Sequence, residues 1–161
     1  DENKWLGILI DGASSSSSIN YARISGVRNN DALDPQNVHD GYALKVKNSD
    51  LSLSNILVTQ NDRGVNLYTA NPIIDNLHCM YNITHYGGMH LDEGSIPVIS
   101  NSKFNHNTGI NVYIDDFSFP TFNNCEFSYN TNTYPHGGGA GVRSMGGGGA
   151  TFNNCKFQYT L

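Results

Sequence analysis

Short segments in which apolar and polar residues alternate recur along the whole chain. Alternation with a period of two predicts β-strands with one buried face, and the helical period of about 3.6 residues appears over no useful length. A weak first copy of the repeat, SSINYARISGV, occupies residues 17–27. Five further segments align without gaps: LSLSNILVTQN at 51–61, PIIDNLHCMYN at 72–82, PVISNSKFNHN at 97–107, PTFNNCEFSYN at 120–130 and ATFNNCKFQYT at 150–160.

Asparagine recurs at two positions of these repeats, and a strand that begins with glycine recurs outside them. The first asparagine position is filled by Asn55, Asn76, Asn101, Asn124 and Asn154, at intervals of 21, 25, 23 and 30 residues. The second position is filled by Asn61, Asn82, Asn107 and Asn130. A strand that opens with glycine precedes the first repeat or lies between repeats, at 7–10, 41–46, 64–68, 88–92, 109–114 and 139–143.

A repeat of 21–25 residues with short strands and no helix cannot bury its apolar side alone, so it must stack on its neighbours. Stacking turns the strands into parallel ladders and brings equivalent asparagine side chains about 4.8 Å apart, where they form a hydrogen-bonded ladder. The Leu-x-x-Leu-x-Leu frame of leucine-rich repeats is absent. We therefore predict an all-β fold, a single-stranded right-handed parallel β-helix of about six coils. One domain is expected over residues 1–161, with loop insertions at 28–40, 83–87 and 131–138.

The repeat units, with GI or GV strands between them, resemble the pectate-lyase-like right-handed β-helix superfamily. The resemblance is closest to repeat regions of bacterial and archaeal surface proteins, whose coils read W-x-G-I, then S-x-I-x-Y/N-x-x-I, then G-I/V. The segments WLGILIDGASS at 5–15 and INYARI at 19–24 match that pattern. Members of the superfamily include lyases, hydrolases, epimerases, phage spikes and adhesins, so the resemblance implies the fold more strongly than any one activity.

Composition narrows the classes of function. Charged residues make up 14% of the chain, while 22 of the 161 residues are asparagine and 17 are glycine. The net charge of −5 and the scattered Lys and Arg residues argue against a nucleic-acid partner. No apolar run reaches the roughly 20 residues of a membrane span. An extracellular or cell-surface location is what the resemblance to repeat regions of surface proteins implies.

The glycine-initiated strands are expected to form the floor of a ligand groove, with the variable loops along its edge. Alignment on the glycines predicts one outward row of Lys45, Tyr68, Asp92, Tyr113 and Arg143, and a second of Ala43, Asn66, His90, Asn111 and Gly141. Aromatic, polar and charged side chains in a shallow groove suit a polysaccharide or cell-surface glycan. The predicted ligand contacts are Tyr68, His90, Asp92, Tyr113, His136 and Arg143, with the loop residues His85, Tyr86 and Tyr134 nearby. The alternative is an ordinary solvated sheet face.

A polysaccharide-degrading enzyme is the second hypothesis, with weak catalytic candidates in Asp92, Asp115, Asp116, His136 and Arg143. The resemblance implies that a polygalacturonase-like hydrolase would use three Asp, a Gly-His-Gly segment and an Arg-x-Lys segment. This chain departs from that pattern, because it has Pro135-His136-Gly137 and Arg143-Ser144-Met145. A lyase of the superfamily would need a Lys or Arg base and Ca²⁺ ligands, and Lys45 and Arg143 are predicted to lie about four coils apart.

Three further features have two readings each. The acidic residues Asp92, Glu93, Asp115 and Asp116 are weak candidates for Ca²⁺ ligands, and no other cofactor is expected. Cys125 and Cys155 are predicted to stack inward on adjacent coils, as buried thiols or as a disulfide. Asn82-Ile83-Thr84 matches the acceptor pattern for N-glycosylation and would begin an exposed loop.

The ends of the pattern lack a capping helix or a polar capping repeat. This predicts either a piece of a larger surface protein or a head-to-tail contact between copies. The resulting hypothesis is an extracellular surface module for adhesion, carbohydrate contact or structural assembly, with filament formation as one form of assembly.

Overall fold

The computed structural model describes residues 5–28, 41–84, 86–131 and 141–159, and these residues contain fifteen strands and no helix. No segment of the described chain forms a helix long and apolar enough to cross a membrane. The strands are β1 (Ile8–Asp11), β2 (Ser18–Ser25), β3 (Tyr42–Lys47), β4 (Ser52–Thr59), β5 (Arg63–Tyr68), β6 (Ile73–Met80), β7 (Met89–Asp92), β8 (Val98–Ser100), β9 (Lys103–Asn105), β10 (Val112–Ile114), β11 (Thr121–Asn123), β12 (Glu126–Ser128), β13 (Val142–Ser144), β14 (Thr151–Asn153) and β15 (Lys156–Gln158).

The strands form two parallel sheets that wind around a common core. The first sheet has the order β1-β3-β5-β7-β10-β13. Each of these strands is the glycine-initiated strand of one coil. The second sheet contains the repeat units: β2, β4 and β6 pair side by side, and the two halves of β6 then pair with β8 and β9. Every pairing between strands is parallel and joins neighbouring coils, which confirms the predicted parallel β-helix.

Each coil turns at three bends, and each bend contains a residue with left-handed backbone. The first bend follows the first sheet, and its left-handed residues include Thr69, Glu93 and Asp116. The second bend divides the repeat unit and is formed by Tyr21, Asn55, Asn76, Asn101, Asn124 and Asn154, with φ between 51° and 57°. The third bend ends the repeat unit and is formed by Gly26, Gln60, Tyr81, His106, Tyr129 and Tyr159.

The core consists of the inward residues of both sheets, stacked coil on coil. Leu44, Val65, Met89 and Val112 occupy equivalent positions in the first sheet and are at most 1% exposed. In the second sheet aromatic rings stack between coils, and the rings of Phe104 and Phe127 lie 5.4 Å apart and nearly parallel. Burial of these rows removes the apolar face that no single coil could cover by itself.

A buried ladder of asparagines lies just after the third bend. Asn61, Asn82 and Asn107 are 0% exposed. Asn61 donates from its backbone N and from Nδ2 to Oδ1 of Asn82, and Asn82 donates from the same two groups to Oδ1 of Asn107. Asn107 donates its backbone N–H to Oδ1 of Asn130 at 2.6 Å. These bonds satisfy polar groups that the bend would otherwise bury without partners.

The asparagines of the second bend form a more exposed ladder along the surface. Asn76 Nδ2 donates to Asn55 Oδ1 at 2.8 Å, and Asn154 Nδ2 donates to Asn124 Oδ1 at 2.8 Å. One step differs, because Asn101 Nδ2 donates to Asp75 Oδ1 instead of to Asn76. Asparagine is suited to this bend because it tolerates left-handed backbone better than other non-glycine residues.

Candidate functional site

A cluster of aromatic and arginine side chains covers the outer face of the first sheet. We call it the Arg–Tyr cluster, and its members are Tyr42, Arg63, Tyr86, His90, Tyr113 and Arg143. Strands β3, β5, β7, β10 and β13 each supply one member, and Tyr86 comes from the segment before β7. The parallel pairing fixes His90 beside Tyr113 and Tyr113 beside Arg143 on adjacent strands.

The rings of the cluster pack against one another. Tyr86 stacks on His90 with centroids 4.8 Å apart and planes at 12°, and Tyr113 lies 5.2 Å from each of these two rings. The hydroxyl of Tyr42 and Nδ1 of His90 form a hydrogen bond of 2.8 Å. Aromatic packing of this kind holds each ring in one orientation, so the cluster is preorganised.

Two guanidinium groups flank the rings. Arg63 lies 5.2 Å from the ring centre of Tyr42 and 5.8 Å from that of Tyr86, and Arg143 lies 5.7 Å from that of Tyr113. Within the described residues, the ion pair within 4.0 Å is Arg28–Asp62, so neither cluster arginine has an acidic partner there. Cation–π contacts orient a guanidinium and leave its N–H donors available for an anion.

Burial and charge change the acidity of Tyr113. Burial first, and then the neighbouring Asp115 carboxylate, raise the pKa of the Tyr113 phenol above its ordinary value. The phenol therefore stays protonated at neutral pH and donates its hydroxyl, here to Met145 Sδ at 3.3 Å.

The structure divides the predicted ligand residues into two groups. His90, Tyr113 and Arg143 share one row, as described above. Tyr68 and Asp92 pair with each other in the next row. His136, predicted both as a ligand contact and as a catalytic candidate, lies outside the described residues, as do His85 and Tyr134.

The predicted rows were wrong in their register. Lys45 pairs with Asn66, and Asn66 with His90, so Lys45 belongs to the row of Tyr113 and not to that of Tyr68. The error arose because the opening glycines do not align: residue 64 lies beside residue 88, but residue 88 lies beside residue 111. A shift of two residues keeps a side chain on the same face but moves it along the strand.

Five of the ten residues predicted to face outward into the groove are buried, including Gly141 and Tyr113, which is 8% exposed; the other three contribute no ring to the cluster. Ala43 and Asn111 are 0% exposed, and Asn66 is 3% exposed. Asn111 belongs to the interior, since its Oδ1 accepts a hydrogen bond from Nδ2 of Asn107 in the buried ladder. These residues form or support the floor beneath the cluster and are not ligand contacts.

An acidic cluster lies at the first bend. Carboxylate oxygens of Asp92, Glu93 and Asp116 lie within 4.8 Å of one another. Burial is the main cause that raises the pKa of Asp92 to about 6, and the negative charges of Asp116 and Glu93 add to it. The charge of Glu93 is likewise the largest cause that raises the pKa of Tyr68. Such a group offers hard oxygen ligands and a carboxyl group that holds a proton near neutral pH.

Asp115 is separate from that acidic cluster, although all four acidic residues were predicted together. Its Oδ1 accepts the backbone N–H of Asp116 at 3.0 Å, which turns the carboxylate back on its own bend. Its charge acts on Tyr113 instead. The structure thus brings three of the four predicted acidic ligands together.

Sequence reasoning missed Tyr42 and Arg63 as members of the Arg–Tyr cluster. Both stand next to an opening glycine, Gly41 or Gly64, outside the positions from which the rows were counted. The register explains their proximity, because Tyr42 pairs directly with Arg63. Counting back from the strand pairs, and not forward from each glycine, would have revealed them.

The burial of side chains tests two other predictions from the sequence, the glycosylation acceptor and the paired cysteines. The segment after Asn82 is exposed, since Ile83 is 55% exposed, but Asn82 itself is 0% exposed and is bonded within the buried ladder, so the acceptor amide is not accessible. Cys125 and Cys155 occupy the predicted stacked positions with free thiols. Burial raises the pKa of Cys125 to about 11, so its thiol is unreactive at neutral pH.

Comparison with known proteins agrees with this architecture. The family model described as "Right handed beta helix region" matches residues 6–160, nearly the whole chain. No curated protein matches the chain, and no solved structure matches it. The match is consistent with the pectate-lyase-like superfamily that the repeats resemble. The chain belongs to the right-handed β-helix family.

Proposed function

We propose that this β-helix is a surface module that binds an acidic glycan across the Arg–Tyr cluster. The observation that carries the proposal is the position of Arg63 between the rings of Tyr42 and Tyr86 and of Arg143 beside the ring of Tyr113, without an acidic partner in the described residues. Adhesion to a glycan-coated surface and an extracellular location follow from this proposal.

The chemistry of the cluster favours a sugar that carries carboxylate or sulfate groups. A guanidinium forms bidentate hydrogen bonds with such anions. Three coil steps separate β5 from β13, so the two arginines contact different units of one extended chain. The rings of the cluster are packed against one another, and a preorganised site loses little entropy when it binds a polymer.

Binding of oligogalacturonate and of sulfated heparin oligosaccharides, measured by titration calorimetry, tests the proposal. Replacement of both arginines, Arg63→Gln with Arg143→Gln, should weaken binding by at least about tenfold, since a hydrogen bond to a charged group contributes about 1.5–3 kcal/mol. Arg23→Gln is the matched control, because Arg23 is exposed on β2 in the other sheet. Equal affinity of wild type and the double variant for every anionic probe would overturn the proposal.

A second candidate function is a polysaccharide lyase. The hydrogen bond between the Tyr42 hydroxyl and His90 Nδ1 favours it, because a paired phenol and imidazole beside two arginines provide groups for proton abstraction next to a neutralised carboxylate. This candidate predicts that the purified protein produces unsaturated uronate ends, seen as ultraviolet absorbance, and that His90→Ala abolishes them. A protein that binds acidic glycans without forming such ends is a binding module.

A further inference from the structure

A second row of aromatic side chains, distinct from the Arg–Tyr cluster, lies along the third bend. We call Tyr81, His106, Tyr129 and Tyr159 the bend ladder; each coil from the third to the last repeat unit supplies one of them. Tyr81, Tyr129 and Tyr159 are 49%, 45% and 68% exposed, and His106 is also exposed. No function has yet been given to this surface.

Local backbone preference does not explain why aromatic residues occupy this bend. All four members have left-handed φ, between 51° and 56°. That conformation is strained for residues other than glycine and asparagine, and it costs of the order of 1 kcal/mol for each such residue. The first copy of the bend has Gly26, which avoids the strain. Gln60 adopts the same conformation at this bend without an aromatic ring, so the bend itself does not require the rings.

The rings are offset, so part of each face is open. Neighbouring centroids lie 4.9, 5.0 and 4.9 Å apart, with planes at 27°, 16° and 13°. Parallel rings in contact lie only about 3.5 Å apart, measured perpendicular to their planes. The centroids are farther apart than this, mostly because neighbouring rings are displaced sideways. A ligand that lies along the ladder therefore contacts a series of partly uncovered ring faces.

The groove along the last three rings of the bend ladder is neutral, whereas Tyr81 lines a neighbouring groove together with Arg28. A shallow groove of about 420 Å³ is lined by His106, Tyr129, Asn130, Thr131 and Tyr159. None of these described lining residues carries a carboxylate, an ammonium or a guanidinium group. Aromatic faces beside amide and hydroxyl groups match the apolar faces and hydroxyls of an uncharged sugar.

The shape of the surface also favours a glycan over a protein partner. The ladder is one side chain wide, whereas a stable protein–protein interface buries about 800 Å² on each partner. Its repeat follows the coil spacing of about 4.8 Å. One sugar unit of an extended 1,4-linked β-glycan has a similar length, so successive sugars would meet successive rings.

We propose that the bend ladder is a second carbohydrate site, which binds an uncharged, extended oligosaccharide parallel to the axis of the β-helix. The open part of each tyrosine ring stacks against a pyranose face, and the exposed Thr131 and the phenol hydroxyls lie beside the sugar hydroxyls. The site is distinct from the Arg–Tyr cluster, because its rings lie at the third bend, whereas the cluster lies on the first sheet, and it uses no charged group.

The test uses uncharged hexasaccharides of the cello, manno, xylo and chito series as probes. Saturation-transfer NMR and titration calorimetry should detect binding of at least one of them. Tyr129→Ala should weaken that binding about tenfold, while Tyr129→Phe, which keeps the ring, should retain it. Tyr21→Ala is the matched control, since Tyr21 is 81% exposed and has a φ of 57° but lies at the second bend.

Three outcomes would overturn the proposal. One is that no hexasaccharide binds the wild-type protein. Another is that Tyr21→Ala weakens binding as much as Tyr129→Ala. The third is that the paired Arg63→Gln and Arg143→Gln changes abolish binding of the uncharged probe, which would assign it to the Arg–Tyr cluster. If Tyr129→Ala does not fold, Tyr81→Ala at the other end of the ladder gives the same comparison, with circular dichroism to verify the fold.

Discussion

The second and third bends use the same left-handed backbone but different side chains. At the second bend, five of six coils place asparagine in that conformation. At the third bend the six coils use Gly26, Gln60, Tyr81, His106, Tyr129 and Tyr159. The second bend is thus explained by the preference of the residue itself, whereas the third needs support from its neighbours.

That support comes from the buried asparagine ladder one residue after the third bend. Asn61, Asn82 and Asn107 fix the backbone there through hydrogen bonds to both main-chain and side-chain groups. Once the backbone is fixed, the preceding residue is free to carry a side chain chosen for another purpose. The comparison therefore separates a bend held by local preference from a bend held by tertiary hydrogen bonds.

The largest effect is expected from Asn107→Ala in the buried ladder. Asn107 Oδ1 accepts from the backbone N and Nδ2 of Asn82, and its Nδ2 donates to Cys79 O and Asn111 Oδ1. The change leaves these partners buried without a hydrogen bond. Each such group that is not hydrogen-bonded by a water molecule destabilises the fold by about 1–3 kcal/mol. We expect the free energy of unfolding in urea to fall by about 3–4 kcal/mol. A loss below about 1 kcal/mol would mean that the third bend does not depend on the ladder.

A smaller effect is expected from Asn76→Ala at the second bend. Alanine must adopt a φ of 54° and loses the hydrogen bond to Asn55, so the free energy of unfolding should fall by about 1–2 kcal/mol. Asn76→Gly removes the same hydrogen bond without backbone strain and should recover about half of the loss. If glycine proves as destabilising as alanine, strain is not what selects asparagine at this bend.

The difference between the bends also explains what the sequence could predict. The second bend shares one residue type, so its period was visible and gave the β-helix and its coil length. The third bend carries aromatic residues at the tenth position of four consecutive repeats, but this pattern does not show that the position lies at an exposed, left-handed bend, so the bend ladder was not predicted. The burial of Asn82 was hidden for the same reason, since its acceptor pattern is local whereas its partner Asn107 is 25 residues away.

The candidate site was only partly predictable for a related reason. His90, Tyr113 and Arg143 followed from alternation along single strands. The proximity of Arg63 to Tyr42 depends on register between coils, and loops of different length change that register without changing the alternation.

The first bend extends the comparison, because burial and, as a smaller cause, charge repulsion act on the Asp92 carboxyl group there. The folded pKa of Asp92, about 6, lies above the unfolded value of about 3.9, so ionisation of this group destabilises the fold as pH rises from about 4 to above 6. Asp92→Asn should raise the free energy of unfolding by about 1 kcal/mol at pH 8, after allowance for solvent screening, and by nothing below about pH 4. Urea unfolding across this range measures it, with exposed Asp50→Asn as the control for loss of one charge. If Asp92→Asn raises the free energy of unfolding by the same amount at every pH, the pKa of Asp92 is not raised in the folded protein.

The smallest effect is expected from Tyr129→Asn, which puts the residue of the second bend into the third. Asparagine relieves the left-handed strain of Tyr129, worth about 1 kcal/mol, but the change removes two exposed ring stacks, with His106 and Tyr159, of about 0.5 kcal/mol or more each. These contributions oppose each other, so the free energy of unfolding should change by less than about 1 kcal/mol. A loss above about 2 kcal/mol would show that the stacked rings stabilise the third bend. The proposal that the buried asparagine ladder stabilises it would then be wrong. A change near zero means that stability does not select the tyrosine at this position, which leaves a ligand as the reason for an aromatic ring there.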